Sequence, residues 1–184
     1  MISKQEAERI AGKPIVVPRL VNIYSTSLYD WLEDIPILLF PDIASEVLSE
    51  EAEFIVHPGF YYRLSEVQCK GYSNYLDRLK LDTQSVSGKK PVLVWTPVGY
   101  KKETLRILGI NRDSAILVPT ENFGMKLINE LLRMGDDEFL NELSVYVKFG
   151  NVKGEARYGC ARGLKRRCEH FNIKTQIVEN LTYV

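Results

Sequence analysis

Short, fully apolar runs punctuate this chain, and each stops at a proline or a polar turn. They are Ile37-Leu38-Leu39-Phe40 before Pro41-Asp42, Val92-Leu93-Val94-Trp95 before Thr96-Pro97, and Ala115-Ile116-Leu117-Val118 before Pro119-Thr120. A strand with one wet face alternates apolar and polar residues. A strand without alternation is buried on both faces, as in a parallel sheet covered by helices. Extending this reading along the chain predicts strands near 37–40, 54–57, 92–95, 115–118, 145–149 and 174–178. Helical periodicity lies between most of them: Ile43, Ala44, Val47 and Leu48 share one face, Tyr72, Tyr75, Leu76 and Leu79 another, and Leu127, Ile128, Leu131 and Leu132 a third.

Before this rhythm begins, Ser3 with Glu6 three residues later is a capping-box signature, and Gly12 followed by Pro14 is a stop signal. A helix over about Lys4 to Ala11 is expected there. Ile15 to Tyr24 reads as extended structure, with Pro18 arguing for an edge or a break. The most loop-like stretch is Lys80 to Lys90, which carries Ser85, Ser87 and Gly88. Strand alternating with helix implies right-handed crossovers and a parallel sheet between two layers of helices. The expected fold is therefore a three-layer, Rossmann-like α/β domain with a mostly parallel sheet, spanning 1–184, in which 1–34 forms an N-terminal helix and extended segment.

Composition narrows the function classes. The chain has 184 residues, enough for one sizeable core, and 45% hydrophobic with 26% charged residues is ordinary for a globular protein. Lys plus Arg equals Asp plus Glu, so the formal net charge is zero and no global field favours nucleic acid or a membrane surface. Three cysteines, Cys69, Cys160 and Cys168, make an odd set that fits a reducing compartment. Only His57 and His170 are present, without CxxC or HxxxH spacing, so no metal site is expected. The first residues lack the apolar core of a signal peptide, and no run approaches bilayer-spanning length. A cytoplasmic protein that does not enter a membrane is the expectation; oligomeric state is not written in the sequence.

In open parallel sheets ligands bind beyond the carboxyl ends of the strands, where helix N-termini present N–H groups. The turns this selects are Pro41-Asp42, His57-Pro58-Gly59, Thr96-Pro97-Val98-Gly99, Thr120 to Gly124, and Gly150 to Gly154. A small anionic group would be held near Thr120, Asn122 and Gly124, with Thr96 and Gly99 beside it and Lys101 or Lys102 supplying charge. The plainer account is that Thr120 or Asn122 caps a following helix. No GxGxxG or GxxxxGK[ST] is present, so neither a dinucleotide fingerprint nor a P-loop is indicated, and no cofactor is expected. His57, between an apolar run and Pro58-Gly59, is placed where a general base reaches substrate, or where a strand-end histidine bonds a neighbouring carbonyl. Phe60-Tyr61-Tyr62 adds amphipathic surface for a pocket, an interface or the core.

The densest chemistry lies at the C-terminus. Val145-Tyr146-Val147-Lys148-Phe149 reads as a strand ending at Gly150, a helix carries Tyr158, Cys160, Leu164 and Cys168, and a last strand ends at Ile177-Val178-Glu179-Asn180. This βαβ unit resembles the isochorismatase-like cysteine hydrolases, in which a nucleophilic cysteine opens the helix after such a strand. The resemblance implies Cys160 as nucleophile. The family's early strand ends in an aspartate, and Ile15 to Tyr24 holds no equivalent. Neighbouring Arg157 and Arg162, or a helix N-terminus, would lower the thiol pKa; a cysteine that merely fills space is the alternative. The same helix bears Arg157, Arg162, Lys165, Arg166 and Arg167, a local basic patch for phosphate-bearing ligands or RNA, or else a solvated face that complements the helix dipole.

Three functions follow as expectations. The leading one is an α/β domain binding a small anionic or nucleotide-like ligand at the strand carboxyl ends, with transferase or hydrolase chemistry. The second is a non-catalytic module that uses the basic helix 157–167 on nucleic acid or an acidic protein, which the neutral chain does not favour. The third is the cysteine hydrolase.

Overall fold

The computed structural model describes residues 48–59, 71–97, 100–111, 114–121, 135–155 and 157–183, with Arg157 and Tyr158 described in backbone only. The expected N-terminal helix, the extended segment, the strand at 37–40, the helical stripe at Leu127 to Leu132, and Cys69, Gly99, Asn122 and Gly124 lie outside these residues.

In chain order the elements are β1 (Glu51–Val56), α1 (Tyr72–Val86), β2 (Val92–Pro97), α2 (Lys101–Leu108), β3 (Ile116–Thr120), α3 (Asp136–Tyr146), β4 (Phe149–Gly154), α4 (Arg162–His170) and β5 (Lys174–Thr182). A π-helical turn, Arg157–Ala161, leads into α4. The five strands form one sheet in the order β3-β2-β1-β4-β5, and every neighbouring pair is parallel. The parallel sheet predicted from unalternated runs is thus the observed one.

Its two faces explain those runs. Ala52, Phe54, Val56, Leu93, Trp95, Ile116, Val118 and Val152 face α3 and α4, packing on Phe139, Leu140, Leu143, Leu164 and Cys168. The intervening Ile55, Val92, Val94 and Leu117 face α1 and α2, against Tyr72, Tyr75, Leu79 and Leu108. Each central strand therefore needs apolar side chains in both directions, and burying each large one contributes about 1.5–3 kcal/mol. Helices cover both faces, so the arrangement is three layers.

Four expectations are corrected. Residues 145–147 are not strand: α3 runs through Tyr146, and β4 begins at Phe149. Gly150 accordingly lies at the amino end of β4, on the rim opposite Thr96 and Thr120, where its missing side chain leaves room for the Phe54 ring. The carboxyl-end turn of that strand is Gly154-Glu155. Finally, Lys80 to Val86 is helix, the second half of α1, and only Ser87 to Lys90 forms the turn. Its polar residues are engaged rather than loose: Thr83 donates to Leu79 O at 2.7 Å, Gln84 Nε2 to Gly109 O at 2.8 Å, and Asp82 pairs with Lys153.

That last contact explains why β4 is hard to read. Its sequence, FGNVKG, places Lys153 in the interior at 3% exposure. Lys153 Nζ lies 2.6 Å from Glu53 Oε2 on β1 and also bonds Asp82 of α1. Asn151 donates to Glu53 Oε1 at 2.9 Å and accepts from Gln176 at 2.7 Å. A chain of compensating groups across β1, β4, β5 and α1 thus admits charge where hydrocarbon would be expected.

Candidate functional site

Strand order places the site. The chain winds outward from β1 through β2 to β3, then crosses back to lay β4 on the other side of β1. Connections leaving the carboxyl ends of β1 and β4 diverge, and a crevice opens at that switch of direction. Val56 is in register with Gly154, so His57 and Glu155, the next residue of each strand, stand side by side there.

Local geometry forces both into place. Gly154 has φ 111°, and a Cβ on it would collide with the Val56 backbone, so only glycine permits the close pairing that ends β4. Glu155 N–H then donates to Val56 O at 2.9 Å. His57 N–H donates to Trp95 O at 2.9 Å, and its φ of 44° turns the chain out of the strand. A left-handed histidine is uncommon and costs energy unless its surroundings hold it.

His57 is 1% exposed, and its Nε2 lies 3.5 Å from Thr120 Oγ1, the long limit of a hydrogen bond, reaching from β1 past β2 to β3. Glu155 is fully buried. Its Oε1 accepts Gly59 N–H at 2.6 Å and the Tyr72 hydroxyl at 2.6 Å. Tyr72, Tyr75 and Tyr183 pack beside it with ring centroids 5.0–5.7 Å apart. Burial raises the Tyr75 phenol well above its ordinary range, and the charge of Glu155 adds to the effect. Its hydroxyl has no hydrogen-bond partner among the described residues.

Of the residues singled out by sequence, His57, Thr96, Lys101 and Thr120 share this carboxyl edge. Thr96 Oγ1 is 2.7 Å from Thr104 Oγ1, a buried contact that fastens β2 to α2. Lys101 opens α2 and is 5% exposed; the N-cap residue Tyr100 makes no side-chain cap, so the first-turn N–H groups are not closed off by it.

Cys160 sits in the π-helical turn between β4 and α4, half-buried against the α3/α4 core, and burial pushes its thiol up. The basic helix is partly tied down. Arg167 bonds Asp136 at 3.0 Å and Asp137 at 3.3 Å in the first turn of α3, and Lys165 pairs with Glu169 and donates to Thr175 O at 3.0 Å. Arg162 and Arg166 are exposed, and Arg157 lies in the π-helical turn.

Sequence reasoning missed Glu155. Its signal was a carboxylate one residue beyond a strand end, legible only once β4 is placed at 149–154. A separate cleft of about 420 Å³ opens at the opposite rim, between the amino ends of β1, β4 and β5. Gln176 donates to Asn151, Asn151 donates to Glu53, and Glu51 pairs with Lys90, so these polar groups already serve the fold.

Among the described residues no cluster of histidine, cysteine and carboxylate suits a metal ion, and no helix is long and apolar enough to cross a membrane. No protein-family model, curated protein or solved structure matches the chain.

Proposed function

We propose that this protein binds a small ligand with an anionic, nucleotide-like group in the crevice at the carboxyl edge of its sheet, and that His57 is the proton-transferring group there. The observation carrying this reading is the meeting of His57 with Thr120 at the carboxyl edge of the sheet, with His57 at the end of β1, where the winding order turns toward β4. A buried, left-handed histidine in hydrogen-bond range of a hydroxyl is an arrangement with the parts of a general base and its partner. Lys101 and the first turn of α2 supply positive character to the same edge, which suits phosphate or carboxylate. The chemistry such a set supports is transfer or hydrolysis at a polar group of the ligand. The sheet is open and parallel, and its winding reverses between β1 and β4; in open parallel sheets such a reversal point is the usual ligand crevice.

Thermal unfolding against a panel of nucleotides and phosphorylated sugars tests it. A ligand at about a hundred times its Kd adds about 2.7 kcal/mol. For a chain of this size that corresponds to a Tm rise of roughly 5–10 °C. His57→Gln should abolish the rise. No shift at millimolar concentration across the panel would overturn the reading.

A second reading keeps Cys160 as a nucleophile, because the π-helical turn holds it at the head of the helical unit that follows a central strand. Against it stands the burial that keeps this thiol protonated. Iodoacetamide labelling faster than that of a free thiol at neutral pH supports it; labelling only on unfolding dismisses it. Nucleic-acid binding through the basic helix has less support, since Arg167 and Lys165 are already engaged within the fold.

A further inference from the structure

We infer that Glu155 is a positioning residue for the crevice, holding both ends of the β1–α1 connection so that His57 keeps its left-handed conformation. This inference rests on the reading of His57 as the acting group. One carboxylate oxygen accepts two hydrogen bonds, from Gly59 N–H before the connection and from the Tyr72 hydroxyl after it. The two donors are thirteen residues apart in sequence and come from different elements, so the oxygen works as a clamp between them. Gly59 is two residues beyond His57, with φ 93°. Fixing its N–H therefore fixes the chain on one side of His57, while the bond from His57 N–H to Trp95 O fixes the other. Glu155 is itself locked by its own N–H on Val56 O and by Gly154, whose conformation no other residue tolerates without strain.

The arrangement has a charge logic as well. Hydrogen bonds to an ionised carboxylate are roughly twice as strong as neutral ones. A fully buried carboxylate that lost either donor would be less well compensated, so the two bonds favour the observed placement of Gly59 and Tyr72. Glu155 has no exposed surface, and it acts through the backbone of Gly59 rather than on a ligand directly.

The chain has only two histidines, so imidazole NMR resolves the effect cleanly, with the exposed His170 as internal control. In Glu155→Ala, the His57 ring signals should move to the positions of a solvent-accessible imidazole while those of His170 stay put, and the Gly59 amide should lose at least about tenfold in exchange protection. Glu155→Gln, whose amide oxygen can still accept both bonds, should restore most of the native spectrum. If the alanine variant does not fold, Tyr72→Phe removes one donor and should displace the His57 signals in the same direction by a smaller amount. Unchanged His57 signals in the folded alanine variant, or in Tyr72→Phe, would overturn the inference. So would a glutamine variant as displaced as alanine. No ligand enters this experiment, so its failure is distinct from an empty ligand panel.

Discussion

Replacing Lys153 by Met tests how the interior tolerates charge. Lys153 is 3% exposed and Glu53 likewise, with Nζ and Oε2 2.6 Å apart; Asp82, the other partner, keeps 28% of its side chain accessible. Removing the ammonium leaves Glu53 buried, with the Asn151 amide as its hydrogen-bond donor among the described residues. Breaking one side of a buried pair costs about 3–5 kcal/mol, chiefly because the remaining charge is stranded. Asp82 adds little, since water reaches it. For a chain of this length the loss lowers Tm by roughly 6–20 °C at about 2–4 °C per kcal/mol. Replacing both partners, Glu53→Gln with Lys153→Met, removes the stranded charge, so the double variant should be more stable than Lys153→Met alone. Urea denaturation of the wild type, both single variants and the double variant gives the coupling energy directly. A Lys153→Met loss below about 1 kcal/mol would refute the reasoning, since that is the scale of an exposed pair.

Other outcomes follow from single contacts. Tyr75→Phe removes a buried hydroxyl that has no partner among the described residues, so stability should hold or rise by up to about 1 kcal/mol in denaturant melts. Cys168, on the buried face of α4, has its thiol pushed up to about 12 by burial, ahead of the smaller influences of Arg167 and Glu169. The folded state therefore binds that proton more tightly than the unfolded chain. Its stabilising contribution is full below about pH 8.5 and is lost as pH rises toward 12, so Cys168→Ala should flatten stability against pH in that alkaline window. Gly154→Ala places a Cβ on the Val56 backbone at φ 111° and should destabilise by more than about 1 kcal/mol, measured by thermal melts.

The sequence was a good guide where burial alone decides residue choice. Val92 to Trp95 and Ile116 to Val118 have helices on both sides, and their unbroken apolar character follows from that. β4 is also an interior strand but spends Gly150 on the Phe54 ring, Gly154 on Val56 and Lys153 on Glu53 and Asp82. Each choice answers a partner far away in sequence, so inspection of the strand itself suggests a turn. α3 is masked in the sequence although Phe139, Leu140 and Leu143 carry a helical stripe, because Val145, Tyr146 and Val147 at its end favour strand and pull the expected strand boundary too early. The polar half of α1 resembles a loop in sequence for a related reason: Asp82, Thr83 and Gln84 are satisfied by Lys153, Leu79 and Gly109, contacts invisible to local pattern. The carboxyl edge was legible through His57, Thr96 and Thr120, while Glu155 depended on placing β4 correctly.

The account turns on the crevice between β1 and β4 being where a ligand meets His57. An NMR titration of the histidine rings with the nucleotide and sugar-phosphate panel addresses this most directly. A binding ligand should shift the His57 signals in a saturable manner and leave His170 unmoved. A ligand that raises Tm yet leaves His57 unchanged would place binding elsewhere and contradict the account.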